Sequence, residues 1–271
     1  MDAQGDAATL GSGLTPLYLT YRHYPVDDPK VAGAYGEWKD YNAYSDFISS
    51  EGAPVFYARV DHVSVPLDKE GTGQVVVDFT PEPLTQDVSF AFHIEKTAGV
   101  VVDSLTAEIS GVPSTMELTT GLILAQKTYK LLFRPAYAAL PSAADSTSTE
   151  ALRCEAAVNI PGIVRSHTED MVTGPGILQI AIYTHYDYEE EGTQRKAAKV
   201  FHAGINLYHT LKECKSLQWD EEAGGYRQAS RSITVEIGTP LEIDKDGILN
   251  SGSTSTGLDQ WIPGETFEIE V

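Results

Sequence analysis

The sequence predicts an all-β protein built from two tandem β-sandwich domains. Short alternating stretches of β-forming residues recur along the chain, turn residues separate them, and long amphipathic helix patterns are almost absent. The composition of 23 Gly, 14 Pro and 14 Tyr against three Met suits many short strands joined by turns. A length of 271 residues, 42% of them hydrophobic, provides for two cores at the usual domain size of about 100 to 150 residues.

The N-terminal part of the chain is predicted to contain a flexible tether and the first domain. Residues 1–13 are small, polar and glycine-rich, which is typical of a tether, and they lack the basic and apolar regions of a secretory signal. We expect such a signal to have been removed from an exported protein. The first β-sandwich is predicted over residues 14–83, with strands near 17–21 and 55–65 and a weak helix pattern over 35–48.

The second β-sandwich is predicted over residues 84–271, directly after Pro81 and Pro83, because proline interrupts a strand ladder. Its clearest strand covers residues 88–95, where Val88 and the alternate residues that follow it are apolar. Further strands are predicted at 105–109, 121–125, 130–134, 158–161, 178–183, 198–207, 233–237 and 266–271. Ser/Thr-rich runs at 141–150 and 247–257 predict exposed loops, and residues 188–192 predict an acidic hairpin tip.

The charge of the chain argues against nucleic acid as a partner. Lys and Arg number 19 and Asp and Glu 39, so the formal net charge is -20, which repels phosphate backbones and anionic lipid. The acidic residues are scattered rather than gathered in a tail. This distribution favours a solvated surface over a specific cation-binding site.

Residue patterns that would indicate catalysis are missing from the sequence, so we expect a protein that is not an enzyme and has no cofactor or metal. It contains no nucleophile elbow, phosphate-binding loop, dinucleotide fingerprint or zinc-protease motif, and its seven His are dispersed. Asp244, Asp246 and Gly247 resemble the opening of a calcium loop, but Ser255 stands where a bidentate Glu is required. An Asx turn is the favoured interpretation.

The two cysteines, Cys154 and Cys214, leave two alternatives open. Their number and spacing rule out a structural zinc site. In an oxidising compartment they can form one disulfide, which requires Cα atoms within about 4.4 to 6.8 Å, a condition that sequence does not test.

Residues 88–95, 101–114 and 116–121 resemble a stretch of the fimbrillin-like superfamily of Bacteroidales, with Ser110-Gly111-Val112 and Thr120-Gly121 carrying the likeness. This resemblance implies two transthyretin-like, Greek-key β-sandwich domains. It also implies export through a lipoprotein signal, attachment to the outer membrane by a lipid anchor, and a role in anchoring, capping or regulating a fimbrial shaft. The lipid-bearing cysteine is absent from this sequence, and we expect it to have been removed with the signal.

Fimbrial subunits often complete each other's sheets by donating a strand. The C-terminal segment alternates, with Phe267, Ile269 and Val271 on one face, and is one candidate for donor-strand contacts with a partner. An ordinary last strand of the second domain is the favoured alternative.

We therefore expect a non-catalytic cell-surface protein, a fimbrial accessory, anchor or adhesin component, whose partners are other fimbrial subunits or a host or surface ligand. The alternative is a carbohydrate-binding surface module of a glycan uptake system. It is indicated by the aromatic and polar residues interleaved at 18–24 and 183–188, since flat rings stack on sugar faces. A hydrolase with two facing carboxylates is the least favoured hypothesis.

Overall fold

A computed structural model describes residues 8–11, 18–21, 23–24, 47–48, 54–58, 76–140, 149–169, 174–249 and 261–269. Within these ranges the protein is predominantly β, with eighteen strands in three sheets and one short helix, which confirms the predicted fold class at that level. The tandem transthyretin-like arrangement stays a prediction. The strands are β1 (Ala8–Gly11), β2 (Tyr18–Tyr21), β3 (His23–Tyr24), β4 (Phe47–Ile48), β5 (Phe56–Tyr57), β6 (Glu82–Pro83), β7 (Gln86–Thr97), β8 (Val100–Glu117), β9 (Ile123–Phe133), β10 (Ala136–Ala139), β11 (Thr149–Ile160), β12 (Ile177–Glu190), β13 (Thr193–Asn206), β14 (Leu217–Asp220), β15 (Gly225–Gln228), β16 (Ser232–Glu236), β17 (Leu241–Ile243) and β18 (Trp261–Ile269). Helix α1 is Tyr208–Cys214.

Two large sheets form a sandwich. The larger has the order β14-β15-β9-β8-β12-β13-β18, with β2 added to β8 and β4 added to β9, and the smaller has the order β10-β11-β7-β16, with β17 also on β7. Most pairs are antiparallel, as predicted, but β16 and β17 run parallel to β7 and β4 runs parallel to β9. Strands β5 and β6 form a separate two-stranded sheet.

The inner faces of the two sheets meet along β7, whose alternation is confirmed. Val88, Phe90, Phe92 and Ile94 are buried, whereas of the residues between and after them Ser89, His93 and Glu95 are half-buried and only the small Ala91 is also buried. The ring of Phe90 stacks on Phe133 of β9 with 4.8 Å between centroids, and Phe92 packs edge-on against Trp261 of β18 at 5.8 Å. Burying a large aromatic side chain contributes roughly 2 to 3 kcal/mol relative to leaving it exposed, so β7 anchors one sheet to the other.

Gly111, which follows the strand predicted at 105–109, is a bulge inside a longer strand. Gly111 has a φ of +85°, and the register of β8 against β9 shifts between Ile109 and Val112, yet β8 continues to Glu117. A Cβ atom at Gly111 would lie 2.5 Å from the carbonyl oxygen of Val164, whose N–H donates to the Gly111 carbonyl at 2.8 Å. Only glycine combines this φ with so close an approach.

The remaining predictions have mixed outcomes. The stretches 121–125 and 130–134, expected as two strands, belong to the single strand β9, and the acidic hairpin tip is confirmed between β12 and β13. The predicted helix over 35–48 lies outside the described residues except at Phe47 and Ile48, which form β4. Strands β2 and β4, from the predicted first domain, pair with β8 and β9 of the predicted second domain. The boundary between residues 83 and 84 stays a prediction.

Candidate ligand-binding cleft

A cleft of about 470 Å³ opens at one edge of the larger sheet. Three parts of the chain enclose it: the loop of residues 164–167, helix α1, and the hairpin formed by β14 and β15. Ligand pockets in proteins commonly have volumes of about 300 to 1,000 Å³, so the cleft has the size of a binding site for a small ligand.

The β14–β15 hairpin turns at Asp220. One carboxylate oxygen of Asp220 accepts the backbone N–H groups of Glu222 at 3.1 Å and Ala223 at 2.9 Å, and the other accepts the Arg227 Nε–H at 2.7 Å. The Ala223 N–H and then the Arg227 side chain hold the pKa of Asp220 below its usual value, because they stabilise the ionised form. Side-chain to backbone hydrogen bonds of this kind fix tight turns.

A buried glutamine fastens the hairpin to the start of β7. The side chain of Gln86 is fully buried, and its Nε2 donates to the carbonyl oxygens of Ser216, at 3.2 Å, and Ser230. Its Oε1 accepts the Ser216 hydroxyl at 2.7 Å, and that hydroxyl oxygen in turn accepts the Ile163 N–H at 2.9 Å. This network holds both ends of the hairpin against the loop that forms the opposite wall of the cleft.

A second contact seals the base of the hairpin. Gln228 Nε2 donates to the carbonyl oxygens of Leu84 at 2.6 Å and Pro161 at 2.9 Å. Leu217 lies directly over Gly162, where a Cβ atom would come within 2.6 Å of the Leu217 side chain. The hairpin is therefore positioned by polar contacts and one close apolar contact, although it pairs with β9 only through Tyr226 and Ile123.

Helix α1 is tied to the loop beside it through Asn206. The Asn206 Oδ1 accepts the N–H of Tyr208, the first residue of the helix, at 3.0 Å, while Nδ2 donates to the carbonyl oxygens of Thr168 at 2.8 Å and Glu169 at 3.0 Å. His209 of the helix also contacts the Glu169 carboxylate. Several hydrogen bonds thus hold α1 and its neighbouring loop together as one wall of the cleft.

Aromatic rings line both sides of the cleft. Trp219 of β14 is 51% exposed and meets Tyr226 of β15 edge-on, with 5.2 Å between centroids. Across the cleft, the guanidinium carbon of Arg165 lies 5.0 Å from the centre of the Tyr208 ring, a cation–π contact. Trp, Tyr and Arg, the residue types on the two sides of this cleft, are the ones enriched at the energetic centres of binding interfaces.

The cleft is positively charged although the protein is acidic. Arg165, Lys212 and Lys215 line it, and none of the described residues that line it is Asp or Glu. These three cations form no ion pair within the described part of the chain. Lys215 ends α1 in the left-handed conformation, with a φ of 53°.

A second cleft, of about 330 Å³, lies on the other side of the hairpin beside β6. Its charged groups already have partners: Arg231 pairs with Glu82 at 3.4 Å, and Arg227 binds Asp220 and the Thr120 carbonyl. Its polar groups therefore have less capacity left for a ligand than those of the larger cleft.

The tyrosine-rich segments that predicted sugar contact are only partly exposed. Tyr21 of β2 is a buried core residue, and desolvation raises its pKa. In β12, Tyr188 is 38% exposed and tilted against Tyr186 at 6.2 Å, whereas Tyr183 is half-buried. Neither segment lines the larger cleft.

The two cysteines lie in different surroundings and are not joined in a disulfide in this structure. Cys154 is buried in β11, and desolvation raises the pKa of its thiol to about 12. Cys214 is half-buried at the end of α1 and donates to the Thr234 carbonyl oxygen at 2.9 Å. The disulfide stays a prediction to be tested on the protein in solution.

The C-terminal segment proposed as a donor strand is the end of β18, an edge strand of the larger sheet. It pairs antiparallel with β13, so that Phe267 lies opposite Val200 and Ile269 opposite Ala198. This pairing is that of an ordinary last strand, the favoured alternative. Val271 lies outside the described residues, and donation to a partner stays a prediction.

The Asx turn at Asp244 is confirmed: its Oδ1 accepts the N–H groups of Asp246 at 2.7 Å and Gly247 at 2.8 Å. In the described ranges, no three His, Cys, Asp or Glu side chains are grouped so that they could hold a metal ion. His209 lies in α1, and His202 is buried in β13.

The residues of the cleft were missed by sequence reasoning, although one pattern pointed to them. Trp219 and Tyr226 flank an acidic, glycine-containing turn, an arrangement typical of a hairpin. The sequence did not indicate that Arg165, Lys212 and Lys215 belong to the same site, because the loop and the helix that carry them meet the hairpin only in the folded chain.

The fold and the cleft together define a predominantly β protein with a positively charged, aromatic surface site. No family model and no curated protein matches the chain. Among solved structures it is similar to a "putative adhesin" from Bacteroides ovatus, with 11% sequence identity and a TM-score of 0.39, over 89% of this chain and 72% of the other. Within the described residues, no helix is long and apolar enough to cross a membrane.

Proposed function

We propose that this protein is a non-catalytic surface protein that acts by binding, as an adhesin component or fimbrial accessory, and that the cleft beside the β14–β15 hairpin is its contact site. The observation that carries the proposal is Trp219, which is 51% exposed on an edge strand and borders a cleft of about 470 Å³. Exposed aromatic side chains held on a rigid support are typical centres of binding energy.

The architecture around Trp219 supports a binding role. Gln86 and Gln228 hold the hairpin from below through hydrogen bonds to backbone carbonyl groups. A partner that meets this surface therefore has little conformational entropy to remove from the hairpin, which favours affinity.

The same proposal includes export and attachment to the outer membrane by a lipid anchor. It also includes membership of the fimbrillin-like superfamily, with transthyretin-like domains. These points are supported by the resemblance of residues 88–121 to that superfamily and by the strand-rich sequence. The proposal also includes the C-terminal strand β18. It is the last strand in the described sheet order, so its outer edge can pair with a strand from another subunit.

The test is adhesion of purified protein to its surface partners. Purified fimbrial subunits encoded beside its gene, and host cells, would be exposed to the protein and to the variants Trp219→Ala and Tyr188→Ala. Tyr188 is a matched exposed aromatic residue that does not line the cleft. We expect binding that falls at least about tenfold for Trp219→Ala, equivalent to about 1.4 kcal/mol, and stays unchanged for Tyr188→Ala. Absence of binding to every subunit and cell type would overturn the proposal.

A carbohydrate-binding module of a glycan uptake system is the second candidate, favoured by the same exposed indole. It predicts binding to free oligosaccharides and neighbouring genes for glycan transporters, whereas the first candidate predicts neighbouring fimbrial subunits.

A further inference from the structure

We propose that the cleft binds an anionic carbohydrate, whose ring stacks on Trp219 while its carboxylate or sulfate group contacts Arg165, Lys212 and Lys215. This inference rests on the proposed function, because it names the class of ligand for the same site. In this proposal the hairpin contacts the sugar ring, and the cationic side chains of the opposite wall contact the anionic group.

Trp219 supplies a flat apolar surface for a sugar. Its edge-on contact with Tyr226 fixes the indole, and half of the side chain remains exposed. The C–H groups of a pyranose ring carry partial positive charge and fit against the negative face of an aromatic ring. A tryptophan supported by a second ring is therefore ready to stack without losing much side-chain freedom.

The charge of the cleft decides which sugars fit. The formal net charge of -20 would repel an anion at long range. At physiological ionic strength the Debye length is about 8 Å, so the nearest charges dominate at the site. Within the cleft those charges are Arg165, Lys212 and Lys215, with no Asp or Glu among the described lining residues. A local cluster of cations on an acidic protein selects an anionic group over a neutral one.

Arg165 is arranged for a planar anion. Its guanidinium lies over the Tyr208 ring at 5.0 Å, and its Nη1 is buried without a hydrogen-bond partner among the described residues. A guanidinium in contact with the face of a ring can still bind a carboxylate or sulfate through two parallel hydrogen bonds, donated by its N–H groups other than the buried Nη1. Lys212 in the last turn of α1 and Lys215 directly after the helix both line the cleft on the same wall as Tyr208.

The experiment uses a matched pair of probes at 0.15 M salt. One is a tetramer of galacturonate, and the other is the same tetramer with its carboxyl groups methyl-esterified, so that the sugar rings are the same and the ester carries no charge. A heparin tetrasaccharide tests sulfate, and a poly-glutamate peptide of similar charge tests an acidic polypeptide. Binding of each to the full chain is measured by calorimetry.

We expect an anionic oligosaccharide, either the uronate or the sulfated one, to bind at least about tenfold more tightly than the ester. The double variant Lys212→Gln, Lys215→Asn should reduce that preference, because only Arg165 is then left to contact the anion; asparagine is chosen because it tolerates the left-handed backbone at position 215. Trp219→Ala should weaken the charged and the esterified tetramers by similar factors. Lys196→Gln, an exposed lysine of β13 away from the cleft, is the control and should change nothing.

Three results would overturn the inference. The first is equal affinity for the uronate and its ester, together with no binding of the sulfated probe. The second is tighter binding of poly-glutamate than of any sugar, and the third is a loss of affinity in Tyr188→Ala that matches the loss in Trp219→Ala. If none of the sugars binds but Trp219-dependent binding to subunits or cells persists, the proposed function stands and the carbohydrate inference fails. If sugars bind but adhesion is absent, the cleft belongs to a carbohydrate-binding module instead.

Discussion

Strand β7 and the β14–β15 hairpin use their apolar side chains in opposite ways. In β7 every second residue from Val88 to Ile94 is buried between the sheets, whereas no residue of the hairpin is buried and Trp219 is half exposed. Burial of side chains holds β7 in place. Hydrogen bonds from Gln86, Gln228 and Arg227 to backbone carbonyl groups hold the hairpin instead.

The difference separates stability from binding. A strand whose aromatic residues are buried contributes to the free energy of unfolding and offers nothing to a ligand. A hairpin fixed through polar contacts at its base keeps its rings available, at little cost to the stability of the fold. Substitutions in the two regions should therefore have different consequences, which four measurements can test.

The largest expected difference is in the reactivity of the two thiols. Cys154 shares the core with β7 and its thiol pKa is raised to about 12, while Cys214 is half-buried in α1 at the cleft. Labelling of Cys154 requires global unfolding, so we expect it to react with iodoacetamide at least about 1,000-fold more slowly than Cys214 at pH 8. Mass spectrometry of timed samples measures both rates. Equal rates, or a disulfide that leaves neither thiol reactive, would contradict the assignment of Cys154 to the core.

Truncation of one aromatic residue in each region should separate their roles. Phe90→Ala removes the ring that stacks on Phe133 and should lower the free energy of unfolding by about 3 to 5 kcal/mol. Trp219→Ala should change it by only about 0.5 kcal/mol, because the side chain is half exposed. Urea unfolding followed by circular dichroism measures both. A comparable loss for the two variants would show that the hairpin is part of the core.

Gly111 joins the larger sheet to one wall of the cleft, because the Gly111 carbonyl oxygen in the β8 bulge accepts the Val164 N–H. Gly111→Ala should cost at least about 1 to 3 kcal/mol for the positive φ, and more because the new methyl group meets the Val164 carbonyl oxygen. Gly99→Ala is a matched control, with a φ of +93° and no atom within 4 Å of the added Cβ. Thermal unfolding of both variants isolates the cost of the contact, and equal losses would mean that the bulge does not constrain the loop.

The smallest expected effect is a local change in the hairpin at acidic pH. The pKa of Asp220 is lowered in the folded protein, so its stabilising contribution is present above the unfolded value of about 3.9 and is lost as the pH falls through the lower folded value. We expect the emission of Trp219, obtained by difference from Trp219→Phe, to change below about pH 4 before the core unfolds. Asp220→Asn should lack this transition, and its persistence in that variant would assign it to another group.

Most of the β-structure followed from local pattern. Alternation of apolar residues at 88–95 predicted the buried face of β7, because successive side chains of a strand point to opposite sides. Asp244 and the acidic tip at 188–192 predicted turns for equally local reasons. The ends of long strands were harder to predict. The strand expected at 105–109 covers Val100–Glu117 in the structure and passes through the bulge at Gly111, because a single glycine gives the same sequence pattern whether the strand ends there or continues.

The sequence by itself determined the β fold class, the main strands and the charge of the surface, because each depends on neighbouring residues or on composition. Tertiary structure alone decided the parallel pairing of β16 and β17 with β7 and the assembly of the cleft. Arg165, Lys212 and Trp219 lie in three separate segments, a loop, a helix and a hairpin. Their meeting depends on buried contacts such as those of Gln86, which join residues more than a hundred positions apart in the chain, and no local pattern encodes such a distance.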